Sequence, residues 1–233
     1  MAKRQCVLVI SDYHAPYQHP DAVAFLKACK KAFNPTEVIS IGDEVDYHAL
    51  SFHDSDPDLD SAGIELMKAI EALNSIYSLF PKCTILDSNH GSMVLRKAFA
   101  NGMPKKALRG YNEVLDAPKG WKWVNEYRIS TPLGDVLFKH SFSKNILRAA
   151  QANGCSSVQG HYHEDFGISY AGNAYKLLFG MTVGCLVDDS SMAFGYNKTF
   201  SKRPIVGVGV IINGLPQLVP MVLNKKGRWV GSL

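Results

Sequence analysis

Short β-branched runs alternate with amphipathic stretches through the first half of the chain. Residues 5–11, 37–41 and 83–87 are apolar runs bounded by polar positions, the pattern of buried strands. Between them, apolar positions recur every three to four residues, which predicts helices. Over 20–33 the stripe is Val23, Phe25, Leu26, Cys29 and Phe33, opened by Pro20-Asp21 and stopped by Asn34-Pro35. Over 61–80 it is Ile64, Met67, Ile70, Leu73, Ile76, Tyr77 and Phe80, ended by Pro81. A further helix is predicted over 92–100. Alternating strand and helix implies a largely parallel sheet.

From Trp121 the pattern changes to strands, expected at 121–130, 134–140, 156–159, 165–170, 174–185, 205–212 and 215–223. Gly and Pro punctuate them, as at Pro132-Leu133-Gly134, and Asn213-Gly214 is a hairpin signal. One helix, about 144–152, interrupts the run. The order fits a mixed α/β (α+β) fold, with two packed β-sheets and helices outside. There is no repeat and no low-complexity linker, so residues 1–233 read as a single domain.

Composition adds limits. The formal charge of +4 permits an anionic substrate without pointing to nucleic acid. No stretch reaches membrane-spanning length, and no secretory leader opens the chain. The five cysteines at 6, 29, 83, 155 and 185 are odd in number and form no Cys-x-x-Cys pair, so they read as reduced core residues of a cytoplasmic protein.

The chemistry lies where apolar runs end. Five endings deliver ligand-type residues: Asp12-Tyr13-His14, Gly42-Asp43, Asn89-His90, His140, and Gly160-His161-Tyr162-His163. Sites in α/β sheets gather at the carboxyl ends of strands, so five such endings describe one converging metal site. Asp-x-His and His-x-His spacings let both side chains of a pair face the same way on an extended segment. Gly42 permits a tight turn before Asp43, and a carboxylate there has two oxygens with which to bridge two cations. Mixed N and O ligands suit Mn, Fe, Co, Ni or Zn. Two such ions, roughly 3.5–4 Å apart, acidify a bridging water and neutralise phosphoryl oxygens.

With Asp46 added, the ordered set Asp12-x-His14, Gly42-Asp43-x-x-Asp46, Asn89-His90, His140 and Gly160-His161-x-His163 resembles the five-motif signature of the calcineurin-like metallophosphoesterase superfamily. The Ser-Asp-x-His-Ala-Pro-Tyr opening and small size look closest to phage-encoded members, including the deoxynucleoside 5′-monophosphatase type. The resemblance covers residues 12–163 and implies a four-layer αββα sandwich. It implies that Asp12, His14 and His163 hold one metal, that Asp43 bridges, and that Asn89, His140 and His161 complete the second, with manganese the first expectation for both. His90 would protonate the leaving alkoxide, and Asp46 would hydrogen-bond His90 and keep it cationic. One departure stands out. The family's Gly-Asn-His followed by Asp or Glu reads Ser88-Asn89-His90-Gly91 here.

Other features are weaker. Asp54, Asp56, Asp58 and Asp60 mimic a calcium loop, but Leu59 replaces the required glycine and Pro57 intrudes, so a solvated loop is expected. The basic run Arg96, Lys97, Lys105, Lys106 and Arg109 reads as a solvated helix face or as a flap that grips substrate, with Arg96 the best single candidate. Tyr13, Tyr47, Phe52 and Tyr162 flank metal motifs and could stack a base. His19, His48 and His53 read as surface or supporting residues, and the 186–204 loop as a lid or dimer contact. The expected activity is phosphomonoesterase, on nucleoside or deoxynucleoside 5′-monophosphates, by a monomer or homodimer in the cytoplasm (the host's, if phage-encoded). The alternatives are a phosphodiesterase or DNA nuclease, a protein phosphatase, and a binding scaffold; a scaffold would be expected to have lost ligands that are all present here.

Overall fold

The strand runs of the first half are mostly apolar because both faces are covered. In the computed structural model, which describes residues 4–51, 58–191 and 203–233, β1 (Cys6–Ile10) turns Val7 and Val9 to one core and Cys6, Leu8 and Ile10 to another. It pairs in parallel with β2 (Glu37–Ser40), which pairs with β3 (Cys83–Leu86), which pairs with β4 (Trp121–Val124). On its other side β1 pairs antiparallel with β10 (Gly207–Ile212), which forms a hairpin with β11 (Leu215–Pro220) through the Asn213-Gly214 turn. These make a six-stranded sheet in the order β11-β10-β1-β2-β3-β4.

The second sheet has five strands, β5 (Tyr127–Thr131), β6 (Gly134–Phe138), β7 (Ser156–Gln159), β9 (Leu177–Val183) and β8 (Phe166–Gly172), in that order. β6, β7 and β9 run parallel, with antiparallel β5 and β8 at the edges. One core lies between the sheets, where Val9, Ile39 and Leu86 meet Phe138, Val158 and Met181. The other lies between the first sheet and helices α1 (Ala22–Phe33), α2 (Ala62–Leu79) and α3 (Met93–Ala100). A short helix α4 (Tyr111–Val114) follows, and α5 (Ile146–Asn153) packs on β7, β8 and β9 of the second sheet. The architecture is therefore an α/β sandwich of two mixed sheets, as expected.

Boundaries fall within a few residues of the sequence reading except at 121–130. That run is two strands in two different sheets, broken at Asn125-Glu126. The reason is visible in parity. Trp121 and Trp123 face the helix-side core, whereas Tyr127 and Ile129, at positions of the same parity, pack in the inter-sheet core. A continuous strand would keep all four on one face. Among the described residues no helix is long and apolar enough to cross a membrane. Phe52, His53, most of the calcium-like loop and residues 192–202 of the proposed lid lie outside the described residues.

Candidate metal centre

β1, β2 and β3 are parallel and end at one edge of the first sheet, and β6 and β7 end beside them in the second. The five ligand-bearing endings are stitched together there. The Asp12 N–H donates to the Gly42 carbonyl (3.1 Å) and the His14 N–H to that of Asp43 (2.8 Å). The His161 N–H reaches across from the second sheet to the Asp12 carboxylate (3.0 Å). Gly160 is required at that crossing, because a Cβ there would run into Ser11 and Asp12. Gly42 has φ +102°, and a Cβ would lie 2.6 Å from Ser88 Cβ and 2.7 Å from the Leu86 carbonyl.

The ligating atoms form three overlapping groups, each with its atoms within 4.8 Å of one another: Asp12, His14 and His163; Asp43, His140 and His161; and His14, Asp43 and His90. Asp43 belongs to two groups, with Oδ2 3.6 Å from His14 Nε2 and 3.4 Å from His140 Nε2. His163 Nε2 is 3.2 Å from Asp12 Oδ1. Asn89 Oδ1 lies 2.7 Å from His140 Nε2, which brings the amide to the second group. All seven expected ligands thus meet in one place.

The donor set fits cations. His140 Nδ1 must donate to the Ile41 carbonyl (2.9 Å), since a carbonyl only accepts. Its Nε2 lone pair then faces two acceptor oxygens, those of Asn89 and Asp43, and a positive charge between them resolves the conflict. Burial pushes the Asp12 carboxyl up, yet hydrogen bonds from His14 and His163 more than reverse this and hold it well below the usual range. Burial opposes ionisation of Asp43 too, and His140, His90 and His14 outweigh it. Burial lowers the His14 pKa, but Asp12 and Asp46 raise it to about 10, so protons occupy this buried acidic pocket when no metal does.

Backbone strain marks the same place. Among the described residues eight non-glycine residues have positive φ, and Asp12, His14, Asp43, Tyr47 and His161 are five of them. Left-handed backbone in such residues persists only where surrounding structure enforces it, commonly at functional sites.

Several roles differ from the sequence reading. The Asp46 carboxylate does not chiefly hold His90. Its Oδ1 accepts from His14 Nδ1 at 2.6 Å, while His90 Nδ1 bonds the Asp46 backbone carbonyl and stays 3.7 Å from the carboxylate. Asp46 therefore orients the candidate ligand His14 and, through its main chain, His90. Ser88 avoids positive φ, and its hydroxyl accepts from the Asp43 N–H (3.0 Å) and the Gly91 N–H (3.1 Å). The space beside Gly91 is bordered by Glu44, with Oε1 3.5 Å from where a Cβ would be. Buried Glu44 accepts from the Trp123 indole (3.0 Å), and desolvation raises its pKa to about 7. Arg96 turns back to bond the Asn89 carbonyl (2.6 Å), bracing a candidate ligand. Tyr13 and Tyr47 are only 4% exposed, their rings packed in the helix-side core. His19 is buried and bonds the Gly227 carbonyl (2.8 Å), away from the centre, while His48 Nδ1 is 4.0 Å from Asp46 Oδ2.

Sequence reasoning missed Glu44, Ser88 and Glu65. Glu65, in the first turn of α2, accepts from the His48 and Ala49 N–H groups (2.7 and 2.9 Å) and so fixes the segment after Asp46. Nothing in the sequence signalled it, because the expected stripe began at Ile64 and Met67, which are exposed, whereas the buried face of α2 is Glu65, Ala69, Leu73, Ile76 and Tyr77.

No family model matches the chain, and no curated protein does. Among solved structures, the chain is similar to a novel archaeal phosphodiesterase at 13% identity, over 93% of this chain and 99% of that one, with TM-score 0.50. Vps29 of Chaetomium thermophilum (9% identity, 97% and 93% covered, TM-score 0.49) and the E. coli phosphoesterase YfcE (10%, 97% and 97%, 0.48) also align. At such identities the likeness is one of fold, and it is the fold of the archaeal phosphodiesterase that this chain shares over 93% of its length.

Proposed function

We propose that this chain is a metal-dependent phosphoric ester hydrolase of the calcineurin-like metallophosphoesterase type, acting as a phosphomonoesterase on nucleoside or deoxynucleoside 5′-monophosphates. The observation that carries the reading is the pair of ligand groups joined through Asp43. Asp12, His14 and His163 would hold one divalent cation, Asn89, His140 and His161 the other, and Asp43 both, with manganese first among the metals. When bound, such a pair supplies an acidified water and neutralises phosphoryl charge. The protein supplies the rest. Asp46 fixes the His14 tautomer so that Nε2 points inward. His90 Nδ1 is anchored to the Asp46 carbonyl, leaving Nε2 as the group that protonates the departing alkoxide. Ser88 holds the Asp43 and Gly91 main chain, and Arg96 the Asn89 main chain.

The second reading, a phosphodiesterase, is favoured by the archaeal phosphodiesterase that shares the fold. Turnover of matched monoester and diester substrates with manganese separates the two; a higher kcat/KM on the diester sinks the monoesterase reading. Metal analysis is expected to find about two ions per chain, and none in metal-replete protein overturns the whole proposal. His90→Ala is expected to cut turnover by roughly 10²–10⁴-fold with metal content unchanged. Loss of metal in that variant would make His90 a ligand instead.

A further inference from the structure

A cleft of about 470 Å³ opens under the segment that links α3 to β4. It is far larger than a packing void and within the range of small-ligand sites. Its walls are aromatic: Tyr47, Tyr111, Trp121 and Trp123. Tyr111 and Trp123 are tilted by 31° with ring centroids 6.1 Å apart, and Trp121 and Trp123 lie 6.4 Å apart. Both indole N–H groups are engaged within the fold, Trp121 with the Phe80 carbonyl (2.7 Å) and Trp123 with Glu44 (3.0 Å). Tyr111 and Trp123, both partly exposed, therefore offer the cleft apolar ring surface, with Tyr47 and Trp121 almost fully buried behind them. Polar contacts come from Asp87 and Asn112, and the exposed cations Lys105 and Arg109 also line the cleft.

Residues that line the cleft adjoin the metal-centre residues along the chain. Tyr47 follows Asp46, and Asp87 lies two residues before Asn89, within about 8 Å of backbone. Glu44, next to Asp43, presents one oxygen, Oε1, both to the Trp123 indole and to the space beside Gly91. Flat apolar rings select a planar group, and a carboxylate with an amide selects one whose edge forms hydrogen bonds. The lysine and arginine favour a group joined to an anion.

We propose that this cleft binds the nucleobase of a mononucleotide whose phosphate lies at the Asp43 centre. The inference rests on the hydrolase reading for the position of the phosphate, but base binding can be measured without it. Trp121 and Trp123 are two of the three tryptophans, and the third, Trp229, packs against Phe25. In a Trp229→Phe background, titration of metal-free protein with nucleosides lacking phosphate is expected to quench the remaining emission saturably. Tyr111→Ala is expected to weaken that binding roughly 5- to 100-fold. Leu108→Trp, at the half-buried edge, is expected to fill the cleft and block it. With manganese, either variant should lower the ratio of kcat/KM for a nucleoside monophosphate to that for ribose 5-phosphate by a similar factor. Absence of saturable quenching, or an equal loss on both esters, overturns the assignment. If the wild type quenches with nucleosides but hydrolyses no phosphate ester, the hydrolase reading fails and base binding stands.

Discussion

At Gly42 two independent demands coincide, a positive φ and a clash-free approach to Ser88 and Leu86. Gly42→Ala is expected to destabilise by roughly 2–4 kcal/mol, combining backbone strain with overpacking, read as a lower urea midpoint. Ser88→Ala leaves the Asp43 and Gly91 N–H groups without their acceptor, which costs about 1–3 kcal/mol and lets the Asp43 turn relax. Its activity is expected to fall with it, and unchanged manganese affinity would argue against a role for Ser88 in positioning Asp43. The convergence of ligand-type residues was legible because each closes an apolar run. Their supports were not. Glu44 is an acid among acids in sequence, and only packing shows that Trp123 and Gly91 enclose it. Asp46 likewise names no partner until the fold places His14 nearer to its carboxylate than His90.

Helices and strands follow their sequence patterns where local signals suffice. Asn34, at φ 44°, caps α1 by donating its N–H to the Lys30 carbonyl, as the Asn-Pro stop predicts. The start of α1 is different. Asp21 makes no cap bond through its side chain, which instead accepts from Arg228 Nε (2.7 Å) and the Trp229 N–H (3.0 Å) of the last segment. Hydrogen bonding to Arg228 lowers the Asp21 pKa to about 2. The folded value lies below the unfolded one near 3.9, so the clasp contributes fully above that value and is lost as pH falls through about 2. Hydrogen exchange across residues 221–230 is expected to accelerate as pH falls from about 4 to about 2 beyond the intrinsic trend, and Arg228→Ala should abolish that step. The break at Asn125-Glu126 carried no signal, since Trp-Lys-Trp-Val-Asn-Glu-Tyr-Arg-Ile has neither Gly nor Pro and is rich in strand formers. Competition between two sheets set it, and periodicity within one segment cannot register that.

For the whole molecule, the centre is a joint between two sheets. Asp12, Asp43 and Asn89 come from the first and His140, His161 and His163 from the second, so cations bound by both sets would hold the sandwich closed at that end. Saturation at about 100 times Kd adds roughly 2.7 kcal/mol, which for a chain of this size raises Tm by about 5–10 °C. Chelation should reverse the shift, and an unchanged Tm would mean that the folded chain does not bind the ions in preference to the unfolded one.

The placement of β1 sets the timing of folding. This strand opens the chain yet lies inside the first sheet, and its free edge is closed only when Cys6 finds Ile212 and Val9 finds Gly209. During synthesis the apolar edge of β1 must wait until Gly207–Ile212 has left the ribosome. Such distant pairing makes folding slow and leaves an adhesive strand exposed meanwhile. Nascent chains stalled before residue 205 should therefore engage chaperones heavily, and supplying the 205–220 hairpin as a separate peptide should relieve that dependence.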